Sequence, residues 1–442
     1  MKDGELGEGR RRSGRKRWIV LAVAVTLVVA GGVYLALRES GVEKRLAALR
    51  AAGYPTSFAE MEEYKRLPEG VENAAGLYIE AFNLFVRPSD ANVPVFPQGA
   101  ELPDRGEPLP KVMAEAISEY LKESQECLAL LRKAGEIEHC RYDRDYGATT
   151  VSYIQETKEC AYLLETAVIF YSDKGDTGTA LGYFRDGLRL AHSLAGKPHL
   201  ISYLVRTGCI VTSLSGLERA LSVTVFSDEQ LRQMDEMLSR TKESLDMTDG
   251  LVAERAEVID VFQDPSLGEE IWQGMEEVTR LMKIPVIGKT GLIDYLDYMA
   301  DYMEALKLSG MQRIVRLHEI EKEMENQSVL HIVGKAMAPA VARVAEIDLR
   351  RRTRIDLART ALAIERYRLA KGELPEKLEE LVGEYVEAVP VDPFDDKAIR
   401  YERTEPGYAL WSVGEDGEDN GGKERDEKKR NEPHDVTFIV RR

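Results

Sequence analysis

The chain has 442 residues, 44% of them hydrophobic and 31% charged, with a net charge of −17. That apolar fraction excludes an intrinsically disordered protein, and the length holds two or three ordinary domains. Residues 1–17 carry seven basic and three acidic side chains, a net +4, so everything after them carries −21; a surface of that sign repels phosphates and excludes nucleic acid as a ligand.

The first element is the uncharged run from Trp18 to Leu37 (WIVLAVAVTLVVAGGVYLAL). About twenty helical residues span the ~30 Å of a bilayer's hydrocarbon. Arg10, Arg11, Arg12, Arg15, Lys16 and Arg17 precede it. The positive-inside rule then makes residues 1–17 a cytoplasmic tail and puts the remaining chain outside. A buried core helix and a cleaved signal peptide are the competing readings; the first is disfavoured by a run that is terminal, uncharged and rich in Val. The run is longer than the usual h-region of about 7–15 residues, and its exit, ALRESGVEK, holds no A-x-A site. We read residues 18–37 as an uncleaved, single-pass signal anchor in contact with membrane lipid.

From residue 41 to 340 the pattern is helical. Short amphipathic pieces are expected over 42–52 and 57–66, the second with Ser57 and Glu60 as a capping box. A longer helix over 71–86 repeats Ala75, Tyr78, Ile79, Phe82 and Phe85 at helical spacing. The Pro-rich segment 88–110 is long for a loop inside a domain, so it wraps the surface or contacts something. Helices follow over 111–134, 150–173 and 177–195. The last two, joined by KGDTG, resemble one tetratricopeptide-type hairpin through Tyr171, Gly175, Ala180 and Phe184. The next segment does not repeat the pattern, so an ordinary all-α bundle stays open beside a repeat array. Ser227, Asp228 and Glu229 open another helix, and helices continue over 248–263, 268–283 and 290–330, punctuated by Pro265, Pro285 and Pro339. One long helix runs from Val341 to Ala370, with Arg350, Arg351, Arg352 and Arg354 either on a solvated face or paired with acidic segments.

The motifs that carry chemistry elsewhere do not complete themselves. IGKTG at 287–291 lacks the Gly that a phosphate loop needs, since Lys283 stands there. HEIEKE at 318–323 has Lys322 where a zinc helix needs its second imidazole. Cys127, Cys140, Cys160 and Cys209 form no CxxC pair. An even number of cysteines in an oxidising compartment makes disulfides possible, whereas buried free thiols are common in helices. We assign no catalytic residue.

The C-terminal residues read as α+β. After the long helix stops at Gly372 come a Leu374–Pro375 step, a short helix through Leu378, Leu381 and Val382, and the turn PVDPF. IRYER and YALWSV alternate in polarity as two antiparallel strands joined by TEPG, and DVTFIV adds a third. Between them lies EDGEDNGG, whose Asp416, Glu418, Asp419 and Asn420 are close in sequence among glycines. Calcium takes six to eight such oxygens.

This order resembles the globular region of the major pseudopilin of type II secretion systems. Ala361, Ile364 and Tyr367 stand on the family's helix face. Pro390, Asp392, Pro393 and Phe394 match its PxDPW turn with Phe for Trp, and Tyr401, Gly407 and Tyr408 match its strand pair. Ser412, Gly414, Asp416 and Gly417 match the SxGxDG entry to its calcium loop. The resemblance covers residues 341–442 at most. It implies that calcium is held by Asp416, Glu418, Asp419 and Asn420, with Asp435 returning to the ion. The chain departs from the family in the charged insertion KERDEKKRNEPH. It also lacks a prepilin Glu after GRKRW, and its anchor does not continue directly into the module. The expectation is a mainly α protein of the bacterial inner membrane: an anchor, an all-α ectodomain over 41–340 and a pseudopilin-like module over 341–442. It acts outside the cytoplasm as a non-enzymatic scaffold or accessory factor for an envelope protein partner, near secretion or pilus machinery. An envelope enzyme built from the helical region and a divergent pseudopilin subunit are the alternatives.

Overall fold

The structure, a computed structural model, describes residues 5–64, 66–94, 99–142, 149–196, 199–271, 275–327, 331–425 and 432–442. Residues 426–431 of the charged insertion lie outside these. The helices in chain order are α1 (Glu5–Ala51), α2 (Phe58–Glu63), α3 (Ala75–Asn83), α4 (Lys111–Glu123), α5 (Gln125–Gly135), α6 (Thr149–Asp173), α7 (Thr177–Ser193) and α8 (Leu200–Val223). Then come α9 (Asp228–Glu243), α10 (Thr248–Gln263), α11 (Pro265–Ile271), α12 (Glu276–Met282), α13 (Pro285–Ala305), α14 (Gly310–Glu325), α15 (Ile332–Met337) and α16 (Val341–Lys371). Strands β1 (Arg400–Thr404), β2 (Gly407–Ser412) and β3 (Val436–Arg441) close the chain as one antiparallel sheet in the order β1-β2-β3. The fold is mainly α with a small C-terminal sheet, as the sequence reading expects.

Local chemistry explains the boundaries. Asp176 caps α7 by accepting from the Thr179 N–H at 3.0 Å. Ser227 and Gln230 exchange side-chain and backbone hydrogen bonds in a capping box that opens α9. Pro265 and Pro285 each occupy a first helical position, where the missing N–H costs nothing. α16 stops at Gly372, whose φ of 82° is the left-handed cap only glycine adopts freely.

Five expectations are corrected. The anchor and the 42–52 piece are a single helix: no Pro separates Leu37 from Val42, and the one Gly between them, Gly41, weakens a helix by only about 1 kcal/mol. The 111–134 helix breaks at Ser124, and the 290–330 helix breaks between Ala305 and Gly310. The short helix after Gly372 is one 3-10 turn, Leu378–Leu381. Ser57 does accept from the Glu60 N–H at 3.2 Å, but the Glu60 carboxylate turns to the Thr56 N–H at 2.6 Å instead of completing a box with Ser57.

The chain divides into two compact units. The first comprises residues 1–61, 255–301 and 322–339. Its core gathers Leu46, Met61, Ile259, Tyr295, Met299 and Val333, and the Arg45 guanidinium forks onto the Asp297 carboxylate with both contacts at 2.7 Å. The N-terminal part of α1 is bare: Val20, Val23, Val25, Val29, Val33 and Leu37 are all exposed.

The second unit comprises residues 62–254, 302–321 and 340–442. α6 packs on α7 and α8, α16 packs on α8 and α9, and the sheet lies against α16 and α8. Tyr408, Leu410, Phe438 and Val440 are buried on one face of the sheet. The other face is buried too, through Ala409, Trp411 and Ile439, so β2 is not the half-exposed strand its polarity pattern suggests. The loop after β2 covers it: a Cβ on Gly422 would stand 3.2 Å from the Trp411 ring.

Candidate functional site

The terminal module is organised by two aspartates. Asp392, in the PVDPF turn, is completely buried. Its carboxylate accepts from the Ser412 hydroxyl at 2.8 Å, the Val413 N–H at 3.0 Å, the Phe394 N–H at 3.1 Å and the Arg400 guanidinium. The same guanidinium grips Asp395, whose pKa it holds below the usual range, and reaches Asp419 at 3.5 Å. Turn, strand and acidic loop thus share one arginine.

The second aspartate is Asp435, buried at the start of β3. Its oxygens accept from the Asn420 N–H at 3.2 Å and the Gly422 N–H at 2.7 Å. Burial raises its pKa. Gly414, Gly417, Gly421 and Gly422 all take positive φ and let the loop double back this tightly. Asn420 also donates from its amide to Asp416 at 3.4 Å and to the Glu418 carbonyl at 3.0 Å. Of the five residues expected to bind calcium, Asp416, Asn420 and Asp435 therefore meet around Asn420. Glu418 contributes its carbonyl there. Asp419 is engaged otherwise: it accepts from Trp411 Nε1–H at 2.9 Å and from the Gly421 N–H at 3.0 Å, which lower its pKa, as does Arg400. Among the described residues, no three His, Cys, Asp or Glu side chains converge as metal ligands.

Beside this loop opens a cavity of about 490 Å³, lined by Arg350, Arg354, Arg425, Glu218, Glu415 and Glu424 among others. The basic run of α16 is therefore no solvated face. Arg350 meets Glu415 at 3.4 Å, Arg354 meets Glu218 at 3.1 Å, Arg352 forks onto Asp348, and Arg351 bonds the Leu204 carbonyl at 2.9 Å. Burial, with Arg425 and Arg354 nearby, lowers the Arg350 pKa.

Glu218 on α8 ties these parts together. It meets Arg354 and Arg105, and accepts from the Ile439 N–H at 2.6 Å on the outer edge of β3. Ser222 covers the next exposed N–H of that edge, Arg441, at 3.2 Å. The Pro-rich segment is pinned from the same helix: Arg219 donates to the carbonyls of Pro103 at 2.6 Å, Asp104 at 2.7 Å and Glu107, and Arg105 forks onto Glu424. Gly106 passes so close to β3 that a Cβ there would come within 2.7 Å of the Arg441 carbonyl oxygen.

The incomplete motifs are structural. IGKTG lies inside α13. His318 of HEIEKE meets Glu346 at 2.7 Å and Glu321 at 3.7 Å. Sequence reasoning missed Arg400, Glu218 and Arg219. The last two carry a signal, being charged residues in the apolar helix α8; Arg400 carries none that its neighbours do not share.

Two helices among the described residues are long and apolar enough to cross a membrane, α1 over Val23–Ala51 and α8. α8 is mostly buried in the second unit and is a core helix; the apolar window of α1 is wholly uncovered. No protein-family model, curated protein or solved structure matches the chain.

Proposed function

We propose that this protein is a single-pass envelope protein of the bacterial inner membrane, anchored by residues 18–37. Its helical region and terminal module lie outside the cytoplasm as a scaffold for a protein partner. The observation that carries this reading is the bare apolar stretch of α1. Exposing six large aliphatic side chains to water is costly, and a bilayer of matching thickness removes that cost. The terminal module adds a pseudopilin-like order of helix, Asp392 turn, strand pair and acidic loop, which supports a partner in secretion or pilus machinery.

Calcium is the ligand we propose for the loop. Asp416, Asn420 and Asp435 already meet there, and calcium binds hard oxygen donors. Binding requires Asp435 to exchange backbone N–H donors for the ion and Asp419 to turn from Trp411.

The test is proximity labelling from a tag at the C-terminus in the native host, combined with carbonate extraction of membranes. Enrichment of secretion or pilus components in a carbonate-resistant fraction is the expected result. Release by carbonate overturns the anchor. Labelling of unrelated envelope proteins overturns the secretion context and keeps the scaffold.

A further inference from the structure

Within the first unit, a series of contacts fixes α13 against α1. The Tyr34 and Thr290 hydroxyls share a hydrogen bond at 3.2 Å. A Cβ on Gly41 would stand 3.2 Å from Ile293 Cδ1. Arg45 forks onto Asp297, with both contacts at 2.7 Å. From Tyr34–Thr290 through Gly41–Ile293 to Arg45–Asp297 the numbers rise together, so the two helices run in the same direction. Following α13 back to its start therefore leads along α1 into the apolar run. Tyr34 lies three residues inside the end of that run at Leu37, ~4.5 Å at the helical rise, and Pro285 lies five residues before Thr290, ~7.5 Å further. The corner between α12 and α13 thus reaches ~12 Å below the level of Leu37, within the hydrocarbon of a bilayer that residues 18–37 span.

The corner has the chemistry for that depth. Between Lys283 and Lys289 stand Ile284, Pro285, Val286, Ile287 and Gly288, none of them charged. Ile284 is 46% exposed, and Pro285 is exposed beside it. Ile332, 49% exposed, opens α15, whose Val333 would meet a Cβ on Gly291 at 3.1 Å. Backbone polarity is low as well. Pro285 offers no N–H, and those of Ile284 and Gly288 are bonded to the Leu281 and Ile284 carbonyls at 3.0 and 2.8 Å, which reduces the cost of taking this turn out of water. Lys289 pairs with Glu39 just past the end of the run. Long lysine stems let an ammonium reach the headgroups from an apolar level. The acidic Glu276 and Glu277 stand at the opposite end of α12.

We propose that residues 284–287, with Ile332, form a second membrane contact that inserts among phospholipid acyl chains, with Lys283 and Lys289 at the headgroups. The proposal rests on the anchor reading given above. A lone anchor helix turns freely about its own axis; a second point of immersion beside it holds the first unit in one orientation on the bilayer.

The experiment places the photocrosslinker p-benzoylphenylalanine in the full chain, one position at a time, at Ile284, Ile332, Val29 and Leu369. Each protein is reconstituted in vesicles of phosphatidylethanolamine and phosphatidylglycerol, irradiated, and its peptides are searched by mass spectrometry for a phospholipid adduct. Val29 is an exposed site in the anchor, and Leu369 is an exposed site on α16. Adducts at Val29, Ile284 and Ile332, with Leu369 at background, are the expected result. An adduct at Val29 with none at Ile284 and Ile332 overturns the second contact and leaves the anchor standing. No adduct at any position overturns both. Equal adducts at Leu369 and Ile284 also overturn the proposal, because they show lipid adhering to any exposed apolar side chain.

Discussion

α1 and α8 have almost the same mean hydropathy over their most apolar windows, 1.5 and 1.4, and opposite surroundings: none of the first window is buried and 67% of the second is. What separates them is where charge falls. In α1 the charged residues flank the apolar run on both sides, leaving twenty uncharged residues from Trp18 to Leu37. In α8 Arg206, Glu218 and Arg219 interrupt the apolar surface, and each finds hydrogen-bond partners inside the protein. Arg206 donates to the Ser244 carbonyl at 3.1 Å, while Glu218 and Arg219 hold β3 and the Pro-rich segment. A charge spaced into an apolar helix marks a core helix with partners to hold; charge kept outside a twenty-residue run is the pattern a bilayer-spanning helix requires.

The same chemical change should therefore give different readouts in the two helices. Val29→Asp with Val33→Asp puts two charges where a bilayer centre would lie, at about 3 kcal/mol each, and should move the protein from the carbonate-resistant pellet to the supernatant. Leu214→Asp in α8 should leave the protein in the pellet. It buries an unpaired carboxylate at a fully enclosed position, so it should abolish cooperative unfolding or lower stability by about 4 kcal/mol or more. If Leu214→Asp emptied the pellet instead, α8 would be the membrane element and the comparison would fail.

Glu218→Ala probes the charges that distinguish α8. It removes the ion-pair partner of Arg354, weakens the hold on Arg105 and leaves the Ile439 N–H without an acceptor. Breaking a buried pair from one side costs about 3–5 kcal/mol, so the Tm should drop sharply while membrane retention stays intact. Glu218→Gln keeps an acceptor for Ile439 and should recover part of the loss. Equal losses for both variants would assign the effect to the charge alone.

How much of this was legible in the sequence follows from the same contrast. Periodicity and turn chemistry are local, so they mark α6, α7, α16 and all three strands nearly to the residue. The breaks at Ser124 and between Ala305 and Gly310 depend on packing partners and were not visible. In the site, Asp392 stood out because its prolines fix the turn. Arg400, which that aspartate holds, lies eight positions further on with no local rule to connect them. The acidic loop was visible as composition; which carboxylates meet at Asn420 and which turn to Trp411 is set by Gly422 packing over the indole, a contact between positions that no repeat links.

A smaller effect comes from Glu165 on α6, whose Cγ would lie 3.4 Å from a Cβ on Gly216 of α8. Burial pushes its pKa up from 4.5 to about 8, offset in part by Arg354. A carboxyl raised in the folded state binds more protons folded than unfolded, so stability is full below the ordinary value and falls as pH rises from about 4.5 to 8. Glu165→Gln should raise the Tm at pH 8 and leave it unchanged near pH 4.5. A Tm difference independent of pH would show that Glu165 stays ionised and paired.

The smallest expected effect tests the acidic loop against the turn beside it. Asp392 is neutralised by a fixed guanidinium, whereas Asp435 is only hydrogen-bonded by backbone N–H groups, which carry no net charge. A dication therefore gains more at Asp435 than at Asp392. With a site of ordinary extracellular affinity, a few millimolar calcium should stabilise the protein by about 1–2 kcal/mol, a Tm rise of a few degrees. Asp435→Asn should remove the calcium response, and Asp392→Asn should lower the Tm without removing it. Magnesium should do less, because it demands tighter octahedral geometry and sheds water reluctantly. An unchanged Tm in calcium would mean that Asn420 and Gly422 already satisfy Asp435 as well as an ion could. The loop would then be a structural turn, closed by its own backbone as the Asp392 turn is closed by Arg400.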